Sequence, residues 1–272
     1  MAEPGPDPSA RPAARGGMAE TGLTLIGIGT GDPRHLTLQA IEAIGAADLI
    51  LLPLKGRDKA DLADLRRRIV TTHAPGHEDR IAAFDLPPRD AGIAPYRDRV
   101  EAWHDAIATR WRAAMAGRLP QGGGTVAVLV WGDPSLYDST LRIARRVAQG
   151  WPLRLRVIPG ITAIQALCAA HAIPLNDLAA AVTITTGRRL RAQGWPEGAD
   201  TVVVMLDGDT AFLSLPPQGI RIWWGAFLGM PEQICEAGDL AEAGPRIAAR
   251  RAAARAAHGW IMDVYLMRRV AG

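Results

Sequence analysis

Three turns rich in glycine or proline hold the side chains best placed to do chemistry. The first is Gly27-Ile28-Gly29-Thr30-Gly31-Asp32-Pro33, followed by Arg34 and His35. The second is Trp131-Gly132-Asp133-Pro134-Ser135-Leu136-Tyr137, and the third is Pro159-Gly160-Ile161-Thr162-Ala163. Glycine lets a ligand approach the backbone closely, and each of the first two turns adds a carboxylate. Such a set suits a ligand with polar edges and a positive charge. A nicotinamide dinucleotide fits poorly, because it requires G-x-G-x-x-G opening directly into a helix and an acidic residue closing the next strand. Here Pro33 stands near the third glycine's place and Asp48 falls inside the second strand. Taken singly, each turn is also an ordinary tight turn. His73 and His77 do not add a metal site, since Pro75 and Gly76 spoil any shared helical face and no third ligand is evident; no metal is expected.

Alternating strands and helices must position these turns. A strand over 23–28 enters the first, and a helix over 37–46 leaves it, with Leu38, Ile41 and Ile44 at helical spacing. A second strand spans 48–54. Residues 57–95 are mixed, with a weak helical pattern over 62–70. A helix over 96–115 lines up Val100, Trp103, Ile107 and Trp111. The apolar run 125–131 is a strand of a parallel sheet, followed by a helix over 135–149, a strand over 153–158 and a helix over 162–171. In the second half, strands are expected over 182–186, 201–206 and 221–224. A short helix over 231–237, an Ala/Arg helix over 246–257 and a half-exposed strand over 260–268 close the chain. The fold class is α/β: a tail over 1–20, then α/β domains over 21–175 and 176–272. Loops that follow parallel strands gather at the carboxyl edge of the sheet, where ligands bind.

Composition narrows the field. Of 272 residues, 48% are apolar and 22% charged, with a net charge of +3, so a folded chain is expected. The apolar stretches 44–54 and 125–131 fall short of the roughly 18–20 residues of a membrane span, so no membrane partner is expected. Cys168 and Cys235 are too few for a disulfide framework; each reads as a buried free thiol in an apolar helical pattern, which suits the cytoplasm. Residues 1–17 carry no apolar signal core. Lys55 and Lys59 are the only lysines, so the basic side chains are otherwise arginines. Their planar forks suit a ligand bearing several carboxylates or phosphates. They are scattered and accompany no nucleic-acid-reading motif, so no nucleic acid partner is expected.

Together the turns are far more specific than apart. G-x-G-x-G-D-P with Leu36-Thr37, then G-D-P-x-x-Y, then P-G-I-T-A resembles the tetrapyrrole methylase family over residues 23–268. The resemblance implies S-adenosylmethionine as methyl donor, two α/β domains with the cofactor folded in the cleft between them, and a homodimer. The stretches WGDPSLYDSTLRI (131–143) and WGAFLGMPEQI (224–234) narrow it to the branch that methylates precorrin-5 at C-1 and releases acetate in aerobic cobalamin biosynthesis. The alternatives are a sister methylase acting at C-11 or C-20, an RNA-directed methylase of the same fold, and a non-catalytic tetrapyrrole-binding module.

The resemblance also implies site residues. Cofactor contacts fall on Thr30, where proline or leucine is more usual, and on Trp131, Gly132 and Asp133, where the family has Gly-Gly-Asp. They continue with Leu136, Thr162, Ala163, Met205 or Leu206, and Ala226, for which Leu228 and Met230 are alternatives. A polycarboxylate substrate calls for cations, and Arg34, His35, Lys55 and Arg57 are nearest the loops, with Arg188 or Arg189 beyond. Arg250, Arg251 and Arg255 read as the wet face of a helix. Release of acetate requires water to add to a carbonyl, which a base and an oxyanion donor would assist. Asp32 and Tyr137 are singled out from Asp32, His35, Tyr96, Asp133 and Tyr137. Each also has a plainer role: Asp32 as a helix cap, His35 as a loop residue, Tyr96 as a helix start, Asp133 in holding a ribose or the turn, and Tyr137 in packing.

Overall fold

The computed structural model describes residues 20–54, 60–119 and 123–270. The expected tail therefore lies outside the described residues but for Glu20, as do Lys55 and Arg57. The first half contains β1 (Thr21–Gly27), α1 (Leu38–Gly45), β2 (Leu49–Leu54), α2 (Ala60–His73), β3 (Ile81–Asp85), α3 (Tyr96–Ala116), β4 (Thr125–Val130), α4 (Thr140–Ala148) and β5 (Leu153–Ile158). Its strands form one sheet in the order β3-β2-β4-β1-β5, parallel throughout. Helices cover both faces, which is why β2 and β4 are apolar at nearly every position. Successive residues of β1 face opposite ways: Leu25 packs with Ile107, Trp111 and Ile143 of α3 and α4, and Ile26 packs with Ile44, Ile69 and Val70 of α1 and α2.

The second half contains α5 (Ala163–His171), β6 (Val182–Thr186), α6 (Gly187–Gln193), β7 (Thr201–Met205), β8 (Ile220–Ala226), β9 (Ile234–Asp239), α7 (Leu240–His258) and β10 (Asp263–Arg269). Its sheet runs β6-β7-β10-β8-β9, with β6 and β7 parallel and the other neighbours antiparallel. One face packs Trp224, Tyr265 and Phe212 with Leu240 and Ile247 of α7. The other packs Val203, Val264 and Leu266 against Ile164 and Leu167 of α5. Helix α5 thus follows the first sheet in sequence and packs on the second.

Several elements differ from the expectations. The segment 231–237, expected as a helix, turns at Pro231 and then runs as β9 along β8, pairing Cys235 with Gly225. Cys235 is therefore on a strand; it and Cys168 are half-buried, and burial pushes both thiols up. Helix α4 starts at Thr140, later than residue 135, because the preceding turn holds Tyr137 in a left-handed conformation at φ 49°. Strand β10 is central, bonded on both edges, and Val264–Met267 are buried, not half-exposed. Strand β3 and helix α6 were not foreseen; both are short, and Ala82 is the buried residue of β3.

The reading of Arg251 as a wet-face residue is also corrected. Arg250 and Arg255 are exposed, but Arg251 is buried under the second sheet. Its Nε donates to Asp263 Oδ2 at 2.8 Å, with the two side chains 8% and 6% exposed. Trp224 Nε1 donates to the same oxygen at 2.9 Å, and Arg251 Nη2 donates to the Asp207 carbonyl. Asp207 in turn accepts the Tyr265 hydroxyl at 2.7 Å. Burial, with Asp207 beside it, pushes the Tyr265 phenol upward. Removing one partner of a buried pair strands the other's charge. Arg251→Met should therefore cost about 3–5 kcal/mol of folding free energy, read as a lower urea midpoint at unchanged slope; a midpoint equal to wild type would contradict this.

Candidate functional site

The carboxyl ends of β1, β4 and β5 meet at a crossing of three backbones. Gly132 N donates to Gly29 O at 2.8 Å, and Gly29 N returns a bond to Gly132 O at 3.3 Å. A Cβ on Gly27 would stand 2.5 Å from Gly160 N and 2.8 Å from Gly132 O, so no side chain fits there. Asp133 ties the crossing together. Its Oδ1 accepts from the Ser135 N–H at 2.8 Å and the Ser135 hydroxyl at 2.5 Å, and its Oδ2 accepts from Gly160 N at 2.8 Å. Burial opposes its charge, but the Ser135 and Gly160 bonds outweigh it and hold the carboxyl below the usual range.

A cleft of about 590 Å³ opens between this edge and the second sheet. Thr30, Trp131, Leu136, Tyr137 and Ala163 line one side, and Met205, Leu206, Gly225 and Leu228 the other. The Arg66 guanidinium lies 5.8 Å from the centre of the Trp131 ring, on the cation–π side of the indole. Asp207, Arg251 and Asp263 also line the cleft, so the buried ion pair forms part of its wall. Of the cofactor contacts expected, Gly132, Asp133 and Thr162 are not lining residues. Gly132 and Asp133 build the crossing, and Thr162 caps α5 in a reciprocal box with Gln165. Ala226 is corrected: it is 0% exposed and packs in the core on the other face of β8, leaving Gly225 and Leu228 toward the cleft. For Gly225 the cause is the two-residue period of a strand, and Leu228 lies beyond β8, after the turn at Phe227, where φ is 52°.

A second cavity, of about 850 Å³, adjoins the first. Asp32, Arg34, Arg68, Met230, Glu232 and His258 are among its lining residues. Trp260 lines both cavities, and the pairs Thr30–Gly31 and Phe227–Leu228 each place one residue in either. Asp32 caps the short turn Pro33–His35 and is gripped by Arg34, with Arg34 N at 2.8 Å and Arg34 Nη2 at 2.6 Å. The Arg34 hydrogen bonds pull its carboxyl down to about 2, a poor match for a general base near neutral pH. Tyr137 lines the other cavity, its hydroxyl donating to Ile184 O at 3.4 Å, so the two residues singled out as catalytic do not face one reacting centre. His35 lines neither cavity; its ring turns back against Gly29 and Gly229, with Nδ1 3.4 Å from Thr30 Oγ1. Tyr96 is exposed beside Arg188, at 5.4 Å, and neither Arg188 nor Arg189 lines either of these two cavities. Arg68 and His258 were missed, because nothing in their spacing separates them from solvated helix residues. Among the described residues no group of three or more His, Cys, Asp or Glu could hold a metal, and no helix is long and apolar enough to cross a membrane.

The tetrapyrrole (corrin/porphyrin) methylases match residues 22–244. The chain belongs to this family. It is 46% identical over 257 residues to a precorrin-6A synthase [deacetylating] of Sinorhizobium sp, covering 93% of this chain and 98% of that one. A precorrin-2 C(20)-methyltransferase of the same source is 30% identical over 188 residues, or 67% of this chain and 71% of the relative. The crystal structure of a cobalamin-synthesis-related protein (CobF) from Corynebacterium diphtheriae superposes with a TM-score of 0.80 at 41% identity, covering 93% of this methylase and 100% of that chain.

The Asp133 tie predicts an acid-sensitive fold. Its folded pKa lies below the unfolded one, so its contribution is present above the unfolded value of about 4 and is lost as pH falls through the folded one. An asparagine cannot accept at both ends. Asp133→Asn should lose about 2 kcal/mol or more at neutral pH and unfold with a shallower pH dependence below about pH 4. Equal denaturation midpoints at pH 7 would exclude this role.

Proposed function

We propose that this methylase transfers a methyl group from S-adenosylmethionine to C-1 of precorrin-5, with release of acetate, to give precorrin-6A in aerobic cobalamin biosynthesis. The observation that carries the reading is the likeness, along almost the full length of both chains, to a deacetylating precorrin-6A synthase. The two adjoining cavities support it. The smaller falls in the range of about 300–1,000 Å³ typical of small-molecule sites, and Trp131, Leu136 and Leu228 give it apolar walls. Met205 and Leu206 at the end of β7 and Ala163 at the start of α5 fit a cofactor held between the halves. When bound, that cofactor supplies an electrophilic methyl group.

The larger cavity suits the macrocycle. Arg34, whose side chain is 88% exposed, and Arg68 offer guanidinium groups to carboxylates. His258 stands at the last turn of α7, where a cation is favoured by the helix dipole. Asp32 takes the Nε–Nη2 edge of Arg34 and orients the guanidinium, so a substrate carboxylate would meet its Nη1 side. A macrocycle seated between these walls would shield the reacting carbon from water, and positioning is what methyl transfer to carbon chiefly requires.

The test is direct. Purified protein is mixed with S-adenosylmethionine and precorrin-5, and products are followed by mass spectrometry and an acetate assay. One acetate per methylated product is expected; methylation without acetate, or at C-11 or C-20 of another precorrin, overturns the reading. A homodimer belongs to the same reading. Edge strand β5 leaves Leu155 39% and Val157 41% exposed, an apolar strip that a second copy would cover. Light scattering that gave a monomer near 29.0 kDa would exclude it. A cytoplasmic location accords with two half-buried thiols and would be refuted by fractionation to another compartment.

A further inference from the structure

Release of acetate places a geometric demand on the site, given the reaction proposed above, on which this inference rests. The acetyl group leaves the same ring carbon that receives the methyl group. The group that activates water must therefore stand where the two cavities meet. The residues there are Thr30–Gly31, Phe227–Leu228 and Trp260. Of these, Thr30 alone carries a hydroxyl that can take a proton and pass one on. Asp32 is committed to Arg34, Asp133 is enclosed in the backbone crossing, and the Tyr137 hydroxyl faces the Ile184 carbonyl.

Thr30 is 4% exposed and lines the smaller cavity. Behind it, His35 Nδ1 lies 3.4 Å from Thr30 Oγ1. The contact is long, as catalytic hydrogen bonds commonly are before a substrate tightens them. The surroundings are shaped to hold the pair. Gly29, at φ 77°, has no Cβ, and one there would stand 2.5 Å from His35 Cβ. Gly229, at φ 80° and from the other half of the chain, is bare as well; a Cβ there would stand 3.1 Å from Thr30 Oγ1 and 3.0 Å from His35 Cε1. The His35 backbone N–H donates to Asp32 O at 2.9 Å and fixes the ring's root. Two unconnected segments thus give up side chains around one hydroxyl and one imidazole.

We propose that Thr30 and His35 form the hydrolytic pair that removes the acetyl group. The attacking water gives a proton to Thr30 Oγ as the Thr30 hydroxyl proton passes to His35 Nδ1, which uses the neutral ring with its hydrogen on Nε2. The water oxygen bonds to the acetyl carbonyl carbon, and the carbonyl π pair moves onto its oxygen. When that pair returns, the carbon–carbon bond to the ring breaks. Acetic acid leaves, and the bonding pair stays on the ring carbon, spread over the conjugated macrocycle and ready for methylation. His35 returns its proton to solvent. Thr30 is catalytic in this scheme, and His35 acts through it.

The experiment measures acetate release by rapid quench from precorrin-5 and S-adenosylmethionine, alongside calorimetric affinity for S-adenosylhomocysteine. Thr30→Val should lower acetate release by about 100-fold or more with S-adenosylmethionine held at saturation for that variant, so that any change of cofactor affinity at this contact does not enter the rate. Thr30→Ser, which keeps the hydroxyl, should restore release to within about tenfold of wild type. His35→Gln should fall by a factor like that of Thr30→Val, and the double variant should fall no further, as for groups acting as a unit. Acetate release within about threefold of wild type in Thr30→Val, or losses that multiply in the double variant, overturns the pair. A wild-type chain that binds the cofactor product and releases no acetate overturns the underlying reading and the pair with it.

Discussion

Three segments of the backbone approach one another at the carboxyl edge of the first sheet more closely than side chains at Gly27 and Gly160 would permit, and the rest of the site depends on that approach. Gly27 and Gly160 make it sterically possible, Gly132 supplies the positive φ of 64° at its turn, and Asp133 makes the crossing stable by accepting from the second turn and the third at once. Parallel strands carry no such connection of their own, because their ladders stop where the strands end. Gly29 and Gly132 bond the turn bearing Thr30 to the turn bearing Trp131, and Asp133 joins to them the turn that leads into α5, so the three form one wall. The Asp133 carboxylate bonds to the protein's own turns, and its cost of burial is offset by bonds from groups that would otherwise lack partners.

How much of this was legible in the sequence follows from the kind of constraint each residue obeys. The first half was legible because a parallel sheet covered on both faces leaves nearly continuous apolar strands, as in β2 and β4. The three turns were legible because glycine and proline mark backbone requirements that other residues cannot meet. The second half obeys subtler rules. In β9, residues 234–238 are all half-buried, so no alternation betrays a strand. Arg251 looks like its exposed neighbours Arg250 and Arg255, and only Asp263, twelve residues on and on another element, makes it a buried residue. Ala226 and Gly225 are both small, and which of them meets the cleft is a matter of register alone.

The candidate chemistry divides along the same line. Of the residues identified by motif position, Thr30, Trp131, Leu136, Ala163, Met205 and Leu206 share one cleft, and Gly132, Asp133, Thr162 and Ala226 do not line it. Residues chosen for reactivity alone fared differently. Asp32 has the right element for a base, but Arg34 takes both of its oxygens. His35 has a suitable ring, and the chain folds it inward, away from both cavities and toward Thr30. Reactivity is set by partners, and partners two to five residues apart in a non-helical loop are invisible to any periodic pattern.

Backbone strain gives an independent view of where the fold spends its stability. Tyr137, Leu206 and Phe227 are non-glycine residues in the left-handed region, at φ 49°, 53° and 52°. Each such placement costs roughly 1–3 kcal/mol and persists only where the surroundings enforce it. Tyr137 and Leu206 line the smaller cavity and Phe227 the larger, whereas Ala172, Ala179 and Thr210, the other such residues among those described, line neither. The enforcing contacts are also identifiable. Leu206 is 67% exposed at the end of β7, yet the next residue, Asp207, is anchored by the Tyr265 hydroxyl and by Ala211 N at 2.6 Å. Phe227 is held edge-on by Trp260, with ring centres 5.1 Å apart, and Tyr137 follows directly on the Asp133–Ser135 tie. The buried polar networks of the two halves thus do more than fill space. Each holds one strained turn at the rim of the cleft, so the cavity wall is rigid before any ligand arrives, and a ligand need not itself order the loops that contact it.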